Sequence, residues 1–390
     1  MNRIRRTAAA AVLALALPLP IAGVASAAPG PSAAPSSAAS HAFSVPELPR
    51  PTGPHAVGRS TLHLVDRHRQ DPWVPAAGAR QLMVSMYYPA RPGTGGPAPY
   101  MTTEEARLFL QEKAPGAGLP PELLSGTRTW ARADARPAPG RFPLVLLSPG
   151  NAFPRASLTG LAEDLASRGY VVALVDHTYE SPGVTFPDGR TLTCVTCDRP
   201  PAGGLEAMPR SRAKDISFVI GQLTDRHSAW PYAHLIDRRR IGMAGHSIGG
   251  DAAAVTMAGD ERVRAGVNLD GTFREPNPAA GLHGRPFLLF GAQGDENPGM
   301  DTTWDTAWAN LDGWKRRLTV AGAGHGSFTD VPLLAAAAGL PNSYALSAER
   351  SEEITRDYVG AFFDLHLKGV AQPLFDGASP ANPEVTVQRP

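Results

Sequence analysis

From residue 140 onward the chain alternates short apolar runs with longer segments of helical periodicity, and few architectures accept that order. The runs are FPLVLLS (142–148), YVVALVDH (170–177), IGMAGHS (241–247), VRAGVNLD (263–270), PFLLFGA (286–292) and RLTVAGA (317–323). Each is apolar on consecutive rather than alternate residues, as a strand covered on both faces must be. Between them ASLTGLAEDLASRG, SRAKDISFVIGQLTDRH and GGDAAAVTMAG repeat apolar residues at helical spacing. SEEITRDYVGAFFDLHLKG closes the pattern as an amphipathic helix, with Ser351, Glu352 and Glu353 in its first turn and Gly369 after its end. The expected fold class is therefore α/β: a mostly parallel central sheet flanked by helices. Upstream, STLHLVDRHR and QLMVSMYYPA alternate polar and apolar residues, as antiparallel strands at the sheet's edge do. Two excursions interrupt the pattern. Residues 99–141 are Pro-rich with one short helix, TTEEARLFLQE, and TFPDGRTL forms a hairpin turned at Asp188-Gly189.

Gly245-His246-Ser247-Ile248-Gly249 fits G-x-S-x-G, the elbow in which a strand turns sharply into a helix and lifts a serine hydroxyl clear of the sheet. In a chain with 40 glycines the pattern alone carries little weight, but it falls between an expected strand and an expected helix, the context it requires. A nucleophilic serine needs a base to take its proton and an acid to hold that base. VAGAGHGSFTD puts His325 in a Gly-rich loop after the last expected strand, while the later His366 falls inside the terminal helix. Two carboxylates are placed to orient His325. Asp270 directly ends VRAGVNL, and Asp295 lies just past Gly291 in GAQGDENPG, beside Glu296. An oxyanion hole takes two backbone N–H groups. Ile248, the residue after the serine, offers one; the loop in LLSPGNAF offers the other, where Gly150 lets the backbone come close and Asn151 supplies its N–H. Asp176, His177, Tyr179 and Glu180 also reach the carboxyl edge of the sheet, where pockets form. We read them as hydrogen-bonding partners of the neighbouring loop rather than as catalytic groups.

FPLVLLSPGNAFPRASLTGLAEDLASRGYVVALVDH, RIGMAGHSIGGDAA, VRAGVNLDGTF and LTVAGAGHGSFTD resemble the corresponding blocks of the platelet-activating-factor acetylhydrolase branch (group VII phospholipase A2-like) of the α/β-hydrolases, over about residues 140–330. That branch places its acid after the strand that follows the elbow, so the resemblance implies Asp270. SPGN is also similar to the S-P-G-aromatic loop of secreted bacterial cutinases and polyester hydrolases, whose acid lies one strand later, at the position of Asp295. Asn151 stands where the cutinase loop has an aromatic residue, and Pro149 where the acetylhydrolase loop commonly has His. On balance the expected set is Ser247, His325 and Asp270.

The remaining features limit partners and compartment. Lys and Arg number 37 against 36 Asp and Glu, a net charge of +1, which gives no electrostatic case for nucleic acid. The two cysteines, Cys194 and Cys197, lie in TLTCVTCDRP. A zinc site would need four ligands and no second Cys or His pair has metal spacing, so a local disulfide in a surface hairpin is expected, with no metal or organic cofactor. Arg3, Arg5 and Arg6 precede an apolar run too short to span a bilayer, and Ala25-Ser26-Ala27 gives a small-residue cleavage pattern. The expected organisation is a secretory signal over 1–27, a disordered Pro/Ala/Ser-rich segment over 28–55 and one catalytic domain over 56–390, extracellular, monomeric and without stable membrane insertion. The interval GTFREPNPAAGLHGR is too short, and too rich in Pro and Gly, to make a large cap domain. The cleft should be open, suited to short-acyl or phospholipid-like small-molecule esters. The expected activity is a serine carboxylic ester hydrolase working through an acyl-enzyme. The alternatives are a cutinase-like lipase or polyester hydrolase, and a non-catalytic binding domain on the same scaffold.

Overall fold

The computed structural model describes residues 45–275 and 279–389, so the expected signal and most of the expected disordered segment lie outside the described residues. The apolar runs become β3 (Phe142–Ser148), β4 (Val171–His177), β5 (Ile236–His246), β6 (Val263–Leu269), β7 (Phe287–Ala292) and β8 (Lys315–Val320), after β1 (Ala56–Gln70) and β2 (Ala79–Ala90). All of β3 to β8 pair in parallel, in the order β8-β7-β6-β5-β3-β4. β2 adds antiparallel to β4 and β1 to β2. At the opposite edge β9 (Val385–Arg389), which the sequence did not suggest, pairs antiparallel with β8.

Side chains of successive strand residues feed two cores. Val145 and Leu147 of β3 face α2 (Thr159–Ser167) and α6 (Ala348–Lys368), where Leu161, Leu165, Val359 and Phe362 are buried. Leu144 and Leu146 face α3 (Ala207–Thr224), α4 (Ile248–Gly259) and α5 (Thr302–Asn310), where Ile216, Ile220, Met257 and Trp304 are buried. Both faces being covered explains why the strands are apolar throughout. α6 begins before the expected Ser351: Ser347 caps it by accepting from the Arg350 N–H, and Gly369 ends it at a φ of 71°.

The excursion 99–141 carries α1 (Thr103–Lys113), started by a capping box between Thr102 and Glu105. Phe109 and Leu123 pack with Leu334 and Ala338 into a satellite core at the flank. The interval between β6 and β7 contains no helix among its described residues, so no large cap stands there. The expected hairpin forms between Gly183–Thr185 and Thr191–Thr193. The cysteines are bonded to each other, though across the short helical turn that follows the hairpin rather than within it.

Residues 45–55 are not a loose tether. Leu48 is buried, and its carbonyl accepts from Trp130 Nε1 at 2.8 Å. Thr52 donates to Asp164 Oδ1 through its N–H at 2.8 Å and its hydroxyl at 2.7 Å. Composition suggested disorder because the segment lacks apolar periodicity, but it docks through single hydrogen-bonded anchors, which periodicity does not register. Among the described residues no helix is long and apolar enough to cross a membrane.

Candidate active site

β5 delivers the chain to Ser247, whose φ of 55° lies in the left-handed region that residues with a Cβ avoid. The Ser247 N–H donates to the Leu269 carbonyl at 2.8 Å, and the Ser247 carbonyl accepts from the Gly250 N–H at 2.8 Å. A Cβ on Gly245 would stand 2.1 Å from the Gly249 carbonyl oxygen, and one on Gly249 would stand 2.1 Å from that of Ser148. The motif's glycines thus let the ends of β3 and β5 and the start of α4 touch backbone to backbone. A conformation of this kind costs about 1–3 kcal/mol and persists only when its surroundings fix it.

Asp270 follows β6, also at a positive φ, 56°. Asn268 sets that turn, accepting from the Gly271 N–H at 2.8 Å and donating to the Gly271 carbonyl at 2.7 Å. Asp270 Oδ1 accepts from the Ala292 N–H at 2.6 Å, which leaves Oδ2 to meet His325 Nδ1 at 2.7 Å. A nitrogen facing a carboxylate carries the proton, so Nε2 is the basic nitrogen of His325. Asp270 is buried, while the His325 side chain is 49% exposed. Asp295 shares a neighbouring polar groove with Asp270 and His325 but makes no hydrogen bond to His325 among the described residues.

His246, the second residue of the motif, has a job the sequence did not disclose. Its Nε2 meets the His325 carbonyl at 2.7 Å, and a carbonyl only accepts, so Nε2 is protonated. Burial first, and the adjacent His325 next, push its pKa down to about 3, so the ring is neutral. The two rings lie 4.7 Å apart, and His246 thereby anchors the loop that presents His325.

Ser247, Ile248, Asn151 and His325 line one cleft of about 220 Å³, walled by Leu205, Met208 and Arg274. No residue of the excursion 99–141 is part of that lining. A roomier hollow of about 560 Å³ opens near the amino end of β5, beside Arg141, His234 and Arg239, and contains none of these groups.

The four polar residues at the end of β4 and just beyond it bond to neighbouring loops and side chains. Asp176 accepts from the Arg155 N–H at 2.6 Å and pairs with the Arg155 guanidinium. Glu180 accepts from Trp73 Nε1 at 2.8 Å and Arg212 Nε at 2.7 Å, and its carbonyl accepts from the Ala152 N–H at 2.9 Å. The Tyr179 carbonyl accepts from the Val195 N–H at 2.8 Å. His177, Glu180 and Asp215 bring ligand-type atoms within 4.8 Å of one another. Arg80 and Arg212 already occupy those carboxylates, so the cluster is an ion-pair lattice rather than a cation site. Arg212 and Asp215 were missed in sequence, yet one signal was there: they are charged residues on the otherwise apolar stripe of Ile216, Val219 and Leu223.

No family model matches the chain. A protein of Arthroderma benhamiae named as a probable 1-alkyl-2-acetylglycerophosphocholine esterase is 30% identical over 378 residues, covering 87% of this chain and 92% of that protein. The chain belongs to the platelet-activating-factor acetylhydrolase-like esterases. A platelet-activating factor acetylhydrolase of Cavia porcellus is 23% identical over 250 residues, 57% of this chain and 55% of that one. The solved structure of a ferulic acid esterase from Streptomyces cinnamoneus superposes with a TM-score of 0.80 at 46% identity, covering 89% of this chain and 100% of that one. This acetylhydrolase-like esterase accordingly has the α/β-hydrolase fold and is a carboxylic ester hydrolase, not a binding domain on a hydrolase scaffold.

Proposed function

We propose that this esterase is an exported, monomeric serine hydrolase that cleaves small soluble esters through an acyl-enzyme on Ser247. One observation carries the proposal: His325 Nδ1 lies 2.7 Å from Asp270 Oδ2, in the cleft that also holds Ser247 on its strained turn. His325 Nε2 takes the Ser247 hydroxyl proton as Oγ adds to the acyl carbonyl. The N–H groups of Asn151 and Ile248 receive the oxyanion. His325 then protonates the departing alcohol, and a water repeats the sequence to release the acid. Asp270 fixes the tautomer throughout.

The uncapped cleft favours compact acyl groups, because it offers little surface on which to bury a long chain. The name of the 46%-identical neighbour favours hydroxycinnamoyl esters among these. The name of the fungal relative favours a second substrate, the acetyl ester of an alkylglycerophosphocholine. Export rests on the expected signal, and a mature protein beginning near Ala28 in culture medium is its check.

The test is a fluorophosphonate probe followed by an ester panel with chelator present: methyl ferulate, a p-nitrophenyl series and an alkyl acetyl glycerophosphocholine. Probe labelling should vanish in Ser247→Ala, with turnover down by about 10⁴ to 10⁶. Asp270→Asn should cost about 10⁴ and Asp295→Asn little. Efficiency should fall between acyl chains of about four and twelve carbons, at no more than about 1–3 kcal/mol per methylene. A Ser247→Ala enzyme retaining a tenth of its activity, or a maximum at long chains, would sink the respective half of the proposal.

A further inference from the structure

Loop 148–152 leaves β3 and carries Asn151 to the cleft, and it is held from behind by a side chain that belongs to no motif. Arg212 is buried on α3. Its Nη1 donates to the Pro149 carbonyl and, at 3.2 Å, to Ser148 Oγ, while Nη2 reaches the Gly150 carbonyl at 3.5 Å. In a trans peptide the C=O and the following N–H point in opposite directions. Turning the Gly150 carbonyl toward Arg212 therefore turns the Asn151 N–H to the other side of the loop, the side on which Asn151 and Ser247 line the cleft. That N–H donates to no protein atom among the described residues, so it is available to an oxyanion.

Arg212 is itself fixed. Ser148 Oγ meets His177 Nε2 at 3.0 Å, and His177 Nδ1 meets Asp215 Oδ2 at 2.8 Å. Hydroxyl, imidazole and carboxylate stand in the order of a catalytic triad, but all three are buried and no substrate reaches them. Donor directions follow by elimination. Nδ1 faces a carboxylate and is protonated, Nε2 accepts from the Ser148 hydroxyl, and Ser148 Oγ accepts from Arg212. Around this chain Arg80 pairs with Asp71 and Asp215 at 2.8 Å each, Arg69 also reaches Asp215, and Glu180 holds Arg212. Three guanidiniums thus face three carboxylates, and the charge-assisted bonds fix direction as well as distance. On the loop's outer side Thr196, between the two bonded cysteines, donates to the Asn151 side chain at 3.3 Å.

We infer that Arg212, backed by Ser148, His177 and Asp215, is the positioning device of the oxyanion hole: it aims the Asn151 N–H and acts on the transition state rather than on substrate binding. This rests on Ser247 being the nucleophile, and the experiment separates the two. Ser148→Ala removes the hydroxyl that joins His177 to Arg212 without altering the cleft lining. Arg212→Lys keeps the charge but loses the planar fork that spans two carbonyls. With p-nitrophenyl acetate, folded variants should lose about tenfold in kcat with KM within about twofold, less than the roughly 10²–10³ that follows loss of a whole oxyanion donor. Their affinity for a trifluoromethyl ketone inhibitor should weaken by the same factor. Should Arg212→Lys fail to fold, Ser148→Ala decides alone. A Ser148→Ala enzyme with native circular dichroism and unchanged kcat, or with KM raised and kcat intact, overturns the inference while Ser247 keeps its role. Wild-type turnover in Ser247→Ala removes the nucleophile, and this inference with it.

Discussion

Asp270 and Glu296 crowd together over Gly291, where a Cβ would stand 2.7 Å from Asp270 Oδ1 and 2.6 Å from Glu296 Cγ. Glu296 is buried, and its Oε2 has no hydrogen-bond partner. Burial, and then the Asp270 charge, push its pKa up to about 9, so it is a neutral acid at pH 7. The folded chain keeps a proton that an unfolded glutamic acid releases above about pH 4.3. Stability contributed by this group is therefore lost as pH rises from there to about 9. Glu296→Gln keeps the shape and cannot ionise, so its melting temperature should decline less between pH 5.5 and 8.5 than that of the parent. Parallel curves would mean that Glu296 is not protonated in the fold. Of the candidate site, Ser247 and His325 were legible because a motif and a Gly-rich loop mark them. Choosing between Asp270 and Asp295 was beyond spacing alone, since both follow a parallel strand and only the turn made by Asn268 aims one at His325.

At the scale of elements, β3 to β8 could be read from continuous apolar runs because each is buried on both faces. α5 could not, since only Trp304 and Ala307 of its residues are buried, too few to set a period. Nor could the docking of residues 45–55, which depends on partners such as Asp164, 112 positions from Thr52. Cutting that strap away would leave buried Asp164 without the Thr52 donors and open the satellite core around Leu48. A chain begun at residue 56 should melt lower than one begun at residue 43, by roughly 1–2 °C per kcal/mol lost. Its kcat/KM should not change, because none of these residues lines the cleft. Thermal melts and esterase kinetics on the two chains decide it, and equal melting temperatures would refute the strap's contribution.

Across the whole molecule, buried titratable groups pull stability in opposite directions with pH. Burial raises Glu163 and Asp251 to about 7, so their contribution is lost as pH climbs from about 4 toward 7. Burial lowers His366 to about 4 and, with His325, His246 to about 3, so theirs is lost as pH falls below about 6.5. Melting temperature against pH should peak in the mildly acidic range and fall on both sides; a curve rising steadily to pH 9 would contradict this. The lattice behind loop 148–152 has a different consequence. Its six charges come from the β1–β2 edge, the loop after β4 and α3, and Arg80 meets Asp215 across 135 positions of chain. A buried charge left without its partner is costly, so no two of these segments can close over the lattice while the third stays in water. On the role proposed for Arg212, catalytic competence then waits until all three segments have docked. In a urea series, turnover should collapse while much of the helical signal persists, because loosening the edge hairpin lets water reach Arg80 and frees the Gly150 carbonyl before α6 or the parallel strands come apart.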